Sequence, residues 1–440
     1  MIVIEDNCHA GLTIERCQAN ALLPISGKAI RLLCQEHEGL LVFPQSINET
    51  EDKIGDQYIF DIGWTADPDK AILKTGNIIG FISHGGQYVR ICSRFDKQQD
   101  DYFLHYMLQH VFSFNLFDLK YTSTDEDIFN FLMLLFPVFL NRALRQGLYR
   151  EYQRFEHNDV NLKGAVNIAK HIKDNIPFKG TIAYSTREHS TDNSISELIR
   201  HTIEYMMTTQ LGCIVLKKDE TKDNVNLIRT ITDSYNRSER QMLIQKNLRP
   251  RIHPYYTEYY PLQKLCIQIL RHEDIKYGTD SDEIHGVLFD GAWLWEEYVN
   301  TIVRGLGFQH PENKKGTDGI YLFEGNSGRR YPDFMREDYV LDAKYKRYEN
   351  LAMISKIDGD DLNQIISYMH VLNVPGGGFV CPLSQKEHAM LPTATLKGLG
   401  GKISLYGIAI PSSAASYEEF SELMSEQEDV FVHNIQSDLI

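Results

Sequence analysis

The sequence predicts a multidomain chain of α+β and α/β character, with a β-rich amino-terminal module over 1–100, a helical middle region over 101–275 and a mixed-sheet domain over 276–440. Three observations predict it. The chain has 440 residues, which at roughly 150 residues per domain suits about three folded units. The hydrophobic pattern lengthens from a strand period to a helical one near residue 100. Beyond residue 275 helical and strand patterns alternate, as a sheet with helices packed on it requires. With 42% hydrophobic and 24% charged residues, the composition is that of a globular protein and excludes collagen-like or wholly disordered chains.

In the first segment LLVFPQS, DQYIFDIGW, NIIGFIS and QYVRICSRF are apolar or alternating, with Gly and Asp between them, so each reads as a short strand. In the second, YFLHYMLQHVFSF, the 127–155 stretch, SISELIRHTIEYMM and YYPLQKLCIQILRHE carry the helical period. The third reads as a helix (LFDGAWLWEEYVNTIV), three strands (GIYLFEG, RRYPDFM, YVLDAKYK), a helix (DDLNQIISYMHVL), two strands (GGFVCPL, KISLYGIAI) and a last helix (SYEEFSELMSE). Pro375 to Gly378, PGGG, reads as a turn.

Charge and cysteines narrow the class. The 45 Lys and Arg against 60 Asp and Glu give a net charge of −15, which argues against a protein that coats nucleic acid by bulk positive charge but leaves room for a local basic cleft. Seven scattered cysteines with no CxxC pair fit reduced thiols rather than a disulfide framework or zinc knuckle. The start MIVIEDNCHAG has no signal-peptide pattern, and the most apolar run, FLMLLFPVFL, is about half a membrane span and contains Pro137. The expectation is a soluble, cytoplasmic protein without a membrane partner.

The chemistry concentrates in Tyr331 to Tyr348, YPDFMREDYVLDAKYKRY. Two apolar strands flank an acidic turn, Arg336 to Asp338, as a hairpin needs. Asp333 lies near the end of the first strand, and the two-residue period puts Val340, Asp342 and Lys344 on one face of the second. Charges embedded in a strand are costly unless paired or bound to metal. Two carboxylates with an ammonium suit Mg²⁺, which takes carboxylate oxygens and substrate phosphate together. Lys344 then stabilises charge on a phosphoryl transition state, so the constellation reads as phosphodiester hydrolysis. The triplet alone is weak, since Asp118 with Lys120, Glu220 with Lys222, Asp274 with Lys276 and Glu312 with Lys314 share it. None of those follows a Pro-Asp dipeptide and a hairpin.

Two helices add to the set. Glu296 falls at helical spacing with Ala292, Val299 and Val303, bordering an apolar face, and Gln364 and Tyr368 share a face as i and i+4. Lys314, Lys315, Arg329, Arg330, Lys346 and Arg347 are candidates to line a DNA cleft through phosphate contacts, or equally a solvated face. Trp293 and Trp295 read as packing groups, and the sixteen histidines show no metal-ligand spacing.

Glu296, Pro332-Asp333, Asp342-Ala343-Lys344 and Gln364 with Tyr368 resemble the PD-(D/E)xK, restriction-endonuclease-like nuclease core. The fuller layout, with KTGNIIGFI at 74–82, VRICSRF at 89–95, NLKGAVNIAKHI at 161–172 and LWEEYV at 294–299, resembles the McrC family of McrBC-type modification-dependent restriction systems. The resemblance implies an endodeoxyribonuclease subunit with Asp333, Asp342, Lys344 and Glu296 as catalytic residues. It implies Asp333, Asp342 and Ala343 at Mg²⁺, with Mn²⁺ as a substitute. Arg329, Arg330, Lys346 and Arg347 would then contact DNA, with Gln364 and Tyr368 supporting. It also implies a McrB-like AAA+ GTPase partner bound through the 1–100 module, double-stranded DNA carrying modified cytosine as substrate, and no nucleotide bound by this chain alone. The string Gly398 to Ser404, GLGGKIS, lacks the P-loop spacing. Two other readings stay open: a non-catalytic activator of the GTPase built on a nuclease-like scaffold, and a stand-alone repair or junction nuclease.

Overall fold

The strand His285–Asp290 pairs antiparallel with Ile78–His84 and parallel with Leu40–Phe43. Its sequence, GVLF after the histidine, is apolar enough to sit inside a sheet. Two glycines let the backbones close up: a Cβ on Gly80, whose φ is +129°, would lie 2.3 Å from the Val287 carbonyl oxygen, and one on Gly286 would lie 2.6 Å from that of Phe81. The resulting sheet runs Ile2–Glu5, Gln87–Cys92, Ile78–His84, His285–Asp290, Leu40–Phe43. A second, three-stranded sheet of Leu12–Glu15, Lys70–Thr75 and Phe60–Trp64 packs into the same apolar core through Ile14, Leu73 and Ile62.

This computed structural model describes residues 1–37, 40–44, 55–96, 101–112, 125–217, 219–248, 253–276, 284–311, 319–348, 353–384, 392–398 and 400–439. The chain forms two compact units, Met1–Tyr121 with Asp280–Ile440, and Thr122–Thr279. The division expected at residues 100 and 275 therefore gives way to one in which the first and last segments share a unit, because His285–Asp290 completes the amino-terminal sheet. Among the described residues no helix is long and apolar enough to cross a membrane.

The unit Thr122–Thr279 is largely helical as expected, with Asp125–Arg145, Ser194–Met206, Asp219–Ile231 and Tyr259–Lys276 its main helices, but the helical pattern expected over 127–155 stops at Arg145 and its end opens a strand at Glu151. Asn193 caps Ser194–Met206 by accepting from the Ile195 and Ser196 backbone N–H groups. The unit also holds a three-stranded antiparallel sheet, Glu151–Asp159, Ile182–Ser190 and Ala165–Val166. Glu151–Asp159 is polar and mostly exposed, and Ile182–Ser190 buries only Ala183 and Tyr184, so no apolar run announces them. Exposed apolar side chains are dense just beside it: Val160, Leu162, Ile168, Ile172, Ile176 and Phe178.

The carboxy-terminal sheet runs Phe334–Met335, Tyr339–Ala343, Gly376–Leu383, Lys402–Ala409, Thr393–Thr395. Its three central strands are parallel, and the first two are linked through the helix Gly359–Leu372, which buries Ile365, Tyr368 and Met369. The hairpin expected across Arg336 to Asp338 is present, with Phe334 opposite Leu341. The PGGG stretch departs from its expectation as a turn, since Gly376 to Gly378 open a fully buried central strand. The reason is steric. A Cβ on Gly376 would meet the Tyr339 ring at 2.2 Å, and one on Gly377 would meet Met369 Sδ at 2.7 Å.

Gly376→Ala is accordingly expected to cost about 1–3 kcal/mol by overpacking. Gly359→Ala, where nothing lies within 4 Å, should be neutral or slightly stabilising. Denaturant melts of the two variants beside wild type check the contrast.

Candidate active site

The hairpin register sets Asp333 across from the end of Tyr339–Ala343, and Asp333 Oδ2 accepts a 2.7 Å hydrogen bond from the Ala343 N–H. Asp342 is 1% exposed. Neither of its buried oxygens accepts a bond with hydrogen-bond geometry, although Lys344 Nζ stands 2.6 Å from Oδ2 as an ion pair. The Lys344 N–H bonds the Val380 carbonyl at 2.8 Å, continuing the ladder past the strand and keeping Lys344 on the side of Asp342.

The helix Gly359–Leu372 supplies the next layer. Lys344 Nζ lies 3.3 Å from Asp361 Oδ1 and donates to Gln364 Oε1 at 3.3 Å, while Gln364 Nε2 donates to the Tyr368 hydroxyl at 2.9 Å. Asp361 Oδ2 in turn receives Lys346 Nζ and the Tyr348 hydroxyl, both at 2.5 Å. Asp361 was not among the residues expected at the site. The spacing Asp361, Gln364, Tyr368 on one helical face was the signal that could have found it.

Glu296 comes from the helix Gly291–Val303, capped by Asp290, whose side chain accepts from the Ala292 N–H. Trp295 Nε1 on the same helix donates to the Val380 carbonyl at 3.1 Å and is fully buried, the packing role expected of it. His310 links Glu296 to the hairpin: Nδ1 lies 2.6 Å from the Asp333 carbonyl oxygen, which can only accept, and Nε2 lies 3.8 Å from Glu296 Oε1. Nothing in the local sequence marks His310 for this place.

The electrostatics follow from several acids sharing few cations. Burial, then the Glu296 and Asp342 carboxylates, hold the Asp333 pKa well above the usual range. Burial also raises Asp342, against the pull of Lys344. Glu296 is pushed up to about 7, by burial and then by Glu297, Asp342 and Asp290, with His310 opposing. Burial works against the Lys344 ammonium, but Asp342, Asp333 and Asp361 outweigh it and keep the pKa above the ordinary lysine value. Lys344 therefore remains a cation while the acids around it compete for protons.

Of the expected DNA contacts, Lys346 pairs with Asp361, and Arg347 lies 3.7 Å from Glu5 and donates to the Arg94 carbonyl. Both border an open cleft of about 550 Å³ that Ala343, Lys344, Asn7, Asn77 and Arg94 also line. Arg329 stacks over Tyr321 and Tyr331, and Arg330 donates to the Arg329 carbonyl, so these two make contacts within the ribbon of Ile320–Phe323 and Ser327–Arg330. Lys314 and Lys315 lie outside the described residues.

Among the described residues no group of three or more His, Cys, Asp or Glu side chains is arranged to hold a metal ion. What the site offers is two carboxylates, Asp333 and Asp342, beside the Ala343 backbone, with Asp342 Oδ1 lacking a hydrogen-bond partner. That donor set fits a hard cation that keeps most of its waters, as Mg²⁺ does.

A family model described as McrBC 5-methylcytosine restriction system component matches residues 73–382. No curated protein matches the chain. Among solved structures, a chain of the refined half-complex from the tetradecameric assembly of Thermococcus gammatolerans McrB AAA+ hexamers with bound McrC is 15% identical, with 97% of this chain and 99% of that one covered and a TM-score of 0.45. A chain of the Thermococcus gammatolerans McrBC complex is 14% identical, with 69% and 88% covered and a TM-score of 0.32. At those scores the likeness fixes neither residues nor contacts.

The raised Glu296 pKa has a stability consequence. Below the unperturbed value of 4.5 the carboxyl is protonated in both folded and unfolded chains, whereas between 4.5 and about 7 only the folded chain keeps the proton. Stability from this group is thus present at low pH and lost as pH rises through about 7. In chelator-containing buffer, Glu296→Gln should flatten that decline and be more stable than wild type at pH 8, on the order of 1 kcal/mol after discounting for its partial exposure. Melting curves from pH 5 to 8 test it.

Proposed function

The chain belongs to the McrBC 5-methylcytosine restriction system component family, and from that premise we propose that it is the endonuclease subunit of such a system, a Mg²⁺-dependent phosphodiester hydrolase of PD-(D/E)xK type. The observation that carries this reading is the convergence of Asp333, Asp342 and Lys344, with Asp342 Oδ2 facing the Lys344 ammonium and the buried Asp342 Oδ1 without a hydrogen-bond partner. A purely structural ion pair would satisfy both oxygens from the protein, because an unmet buried carboxylate oxygen is costly.

Asp333 and Asp342, with the Ala343 carbonyl, would hold the cation. When bound, Mg²⁺ supplies Lewis acidity at the scissile phosphate. Lys344, kept charged by the acids around it, neutralises charge that develops on a phosphate oxygen, and Asp361 and Gln364 hold its ammonium in place. Glu296, with a pKa near 7 and His310 beside it, is suited to orient the attacking water and take its proton at neutral pH. Lys346 and Arg347, both half-exposed, are placed to contact flanking phosphates.

The substrate in this reading is double-stranded DNA carrying modified cytosine, and the partner is a McrB-like AAA+ GTPase. The exposed apolar side chains over 160–178 support docking of that partner there, since such a cluster on a folded chain marks an interaction surface.

In the complex with the GTPase, Asp342→Ala is expected to lower cleavage of methylated DNA by more than about 10³-fold while GTP hydrolysis stays stimulated. Equal cleavage by variant and wild type would sink the nuclease assignment. No cleavage by either, with GTP hydrolysis stimulated, would favour the non-catalytic activator. Ile168→Asp combined with Phe178→Asp, at side chains 68% and 69% exposed, should reduce that stimulation by about tenfold or more without unfolding the chain. Stimulation lost instead on Trp64→Asp would return the docking surface to the 1–100 module.

A further inference from the structure

Tyr345, the residue after Lys344, is buried beneath a segment from the other end of the chain. Its hydroxyl lies 2.6 Å from Ser93 Oγ, its ring meets Phe95 edge-on at 5.0 Å, and the Arg94 guanidinium sits 4.6 Å above the ring. Arg94 Nη2 also donates to the Tyr345 carbonyl at 2.6 Å. Two bonds fix Arg94 in turn: its N–H donates to Asp6 Oδ1 at 2.6 Å and Nη1 to Asn77 Oδ1 at 3.1 Å. Arg347, two residues beyond Tyr345, donates back to the Arg94 carbonyl. One arginine thus ties two further amino-terminal residues, Asp6 and Asn77, to the stretch that leaves the site.

The same ring reaches the helix that carries Glu296. A Cβ on Gly291, the first residue of that helix, would lie 2.8 Å from Tyr345 Cε1, and the Gly291 N–H donates to the Asn77 carbonyl at 3.1 Å. Tyr345 is therefore wedged between the start of the Glu296 helix and the Ser93 to Phe95 segment. Lys344 has a long, rotamer-rich side chain whose reach is set by its backbone. Asp361 and Gln364 guide its tip, while past its last sheet bond, to Val380, the backbone is anchored by Arg94.

We propose that Arg94 is a positioning residue of the nuclease, holding the Tyr345 backbone so that the Lys344 ammonium and the Glu296 helix keep the spacing the reaction needs. This rests on the nuclease reading given above. Although Arg94 lines the cleft, its guanidinium is largely buried and held by Tyr345, Asn77 and Asp6, so its effect falls on the chemical step more than on DNA affinity. A misplacement of about 1 Å costs on the order of 10²-fold in rate.

The test uses the full chain in complex with its GTPase and measures cleavage kcat, KM for DNA, stimulated GTP hydrolysis and melting temperature. Arg94→Ala should lower kcat about 10²-fold with KM and GTP hydrolysis within about twofold of wild type. Arg94→Lys, which can still reach the Tyr345 carbonyl but loses the planar fork, should recover to within about tenfold of wild type. If Arg94→Ala fails to fold, the kcat of Arg94→Lys at an unchanged melting temperature decides. Wild-type kcat in both Arg94 variants, or a loss confined to KM, overturns the proposal. Asp342→Ala in parallel separates the two readings: if it cuts normally the nuclease assignment falls, and if it is inert while the Arg94 variants cut normally only the Arg94 proposal falls.

Discussion

The pairing of His285–Asp290 between Ile78–His84 and Leu40–Phe43 carries the site, because the helix with Glu296 starts one residue after that strand ends. Asp290 is at once the last residue of the strand and the cap of the helix, so the sheet fixes the helix's origin and its first turn fixes the direction. Trp295 then anchors the helix to the Val380 carbonyl in the carboxy-terminal sheet, and the Lys344 N–H bonds that same carbonyl. Glu296 and Lys344 thus take their positions from one peptide group.

Within that frame the site is held under electrostatic tension. Burial raises all three carboxyls, Asp342 raises Glu296 and Asp333 further, and Glu296 adds to Asp333, while Lys344 offsets only part of the burden at Asp333 and Asp342. Such a cluster costs stability in the folded protein. Asp361 behaves oppositely. Although burial disfavours its charge, Lys346, Tyr348 and Lys344 together hold its pKa below the ordinary carboxylate value. The site therefore separates acids that are easily protonated from one that stays charged and steadies the lysine.

Much of this was legible in the sequence because it is local. The Asp333 hairpin, the shared face of Asp342 and Lys344 and the helical pair Gln364 and Tyr368 all follow from short-range periodicity. The illegible parts are long-range. His310 joins the site through one backbone carbonyl, and Arg94 reaches Tyr345 across 251 positions in the chain, neither with a local pattern to announce it. PGGG misled because a turn and a close-packed buried strand both favour glycine, and only the Tyr339 ring and Met369 distinguish them. The polar strands Glu151–Asp159 and Ile182–Ser190 escaped because sheet pairing there is not driven by an apolar face.

The sheet that closes with His285–Asp290 also sets the order of events during synthesis. Ile78–His84 leaves the ribosome about 200 residues before the strand that must pair with it. At typical elongation rates this is a wait on the order of 10 to 40 seconds. Through that interval two largely apolar strands, Ile78–His84 and Leu40–Phe43, lack the neighbour that separates them in the finished sheet. Unpaired apolar edges of this kind recruit other strands readily. The nascent chain is thus most vulnerable to aggregation while Thr122–Thr279 is being made, and chaperone demand should peak there rather than at release.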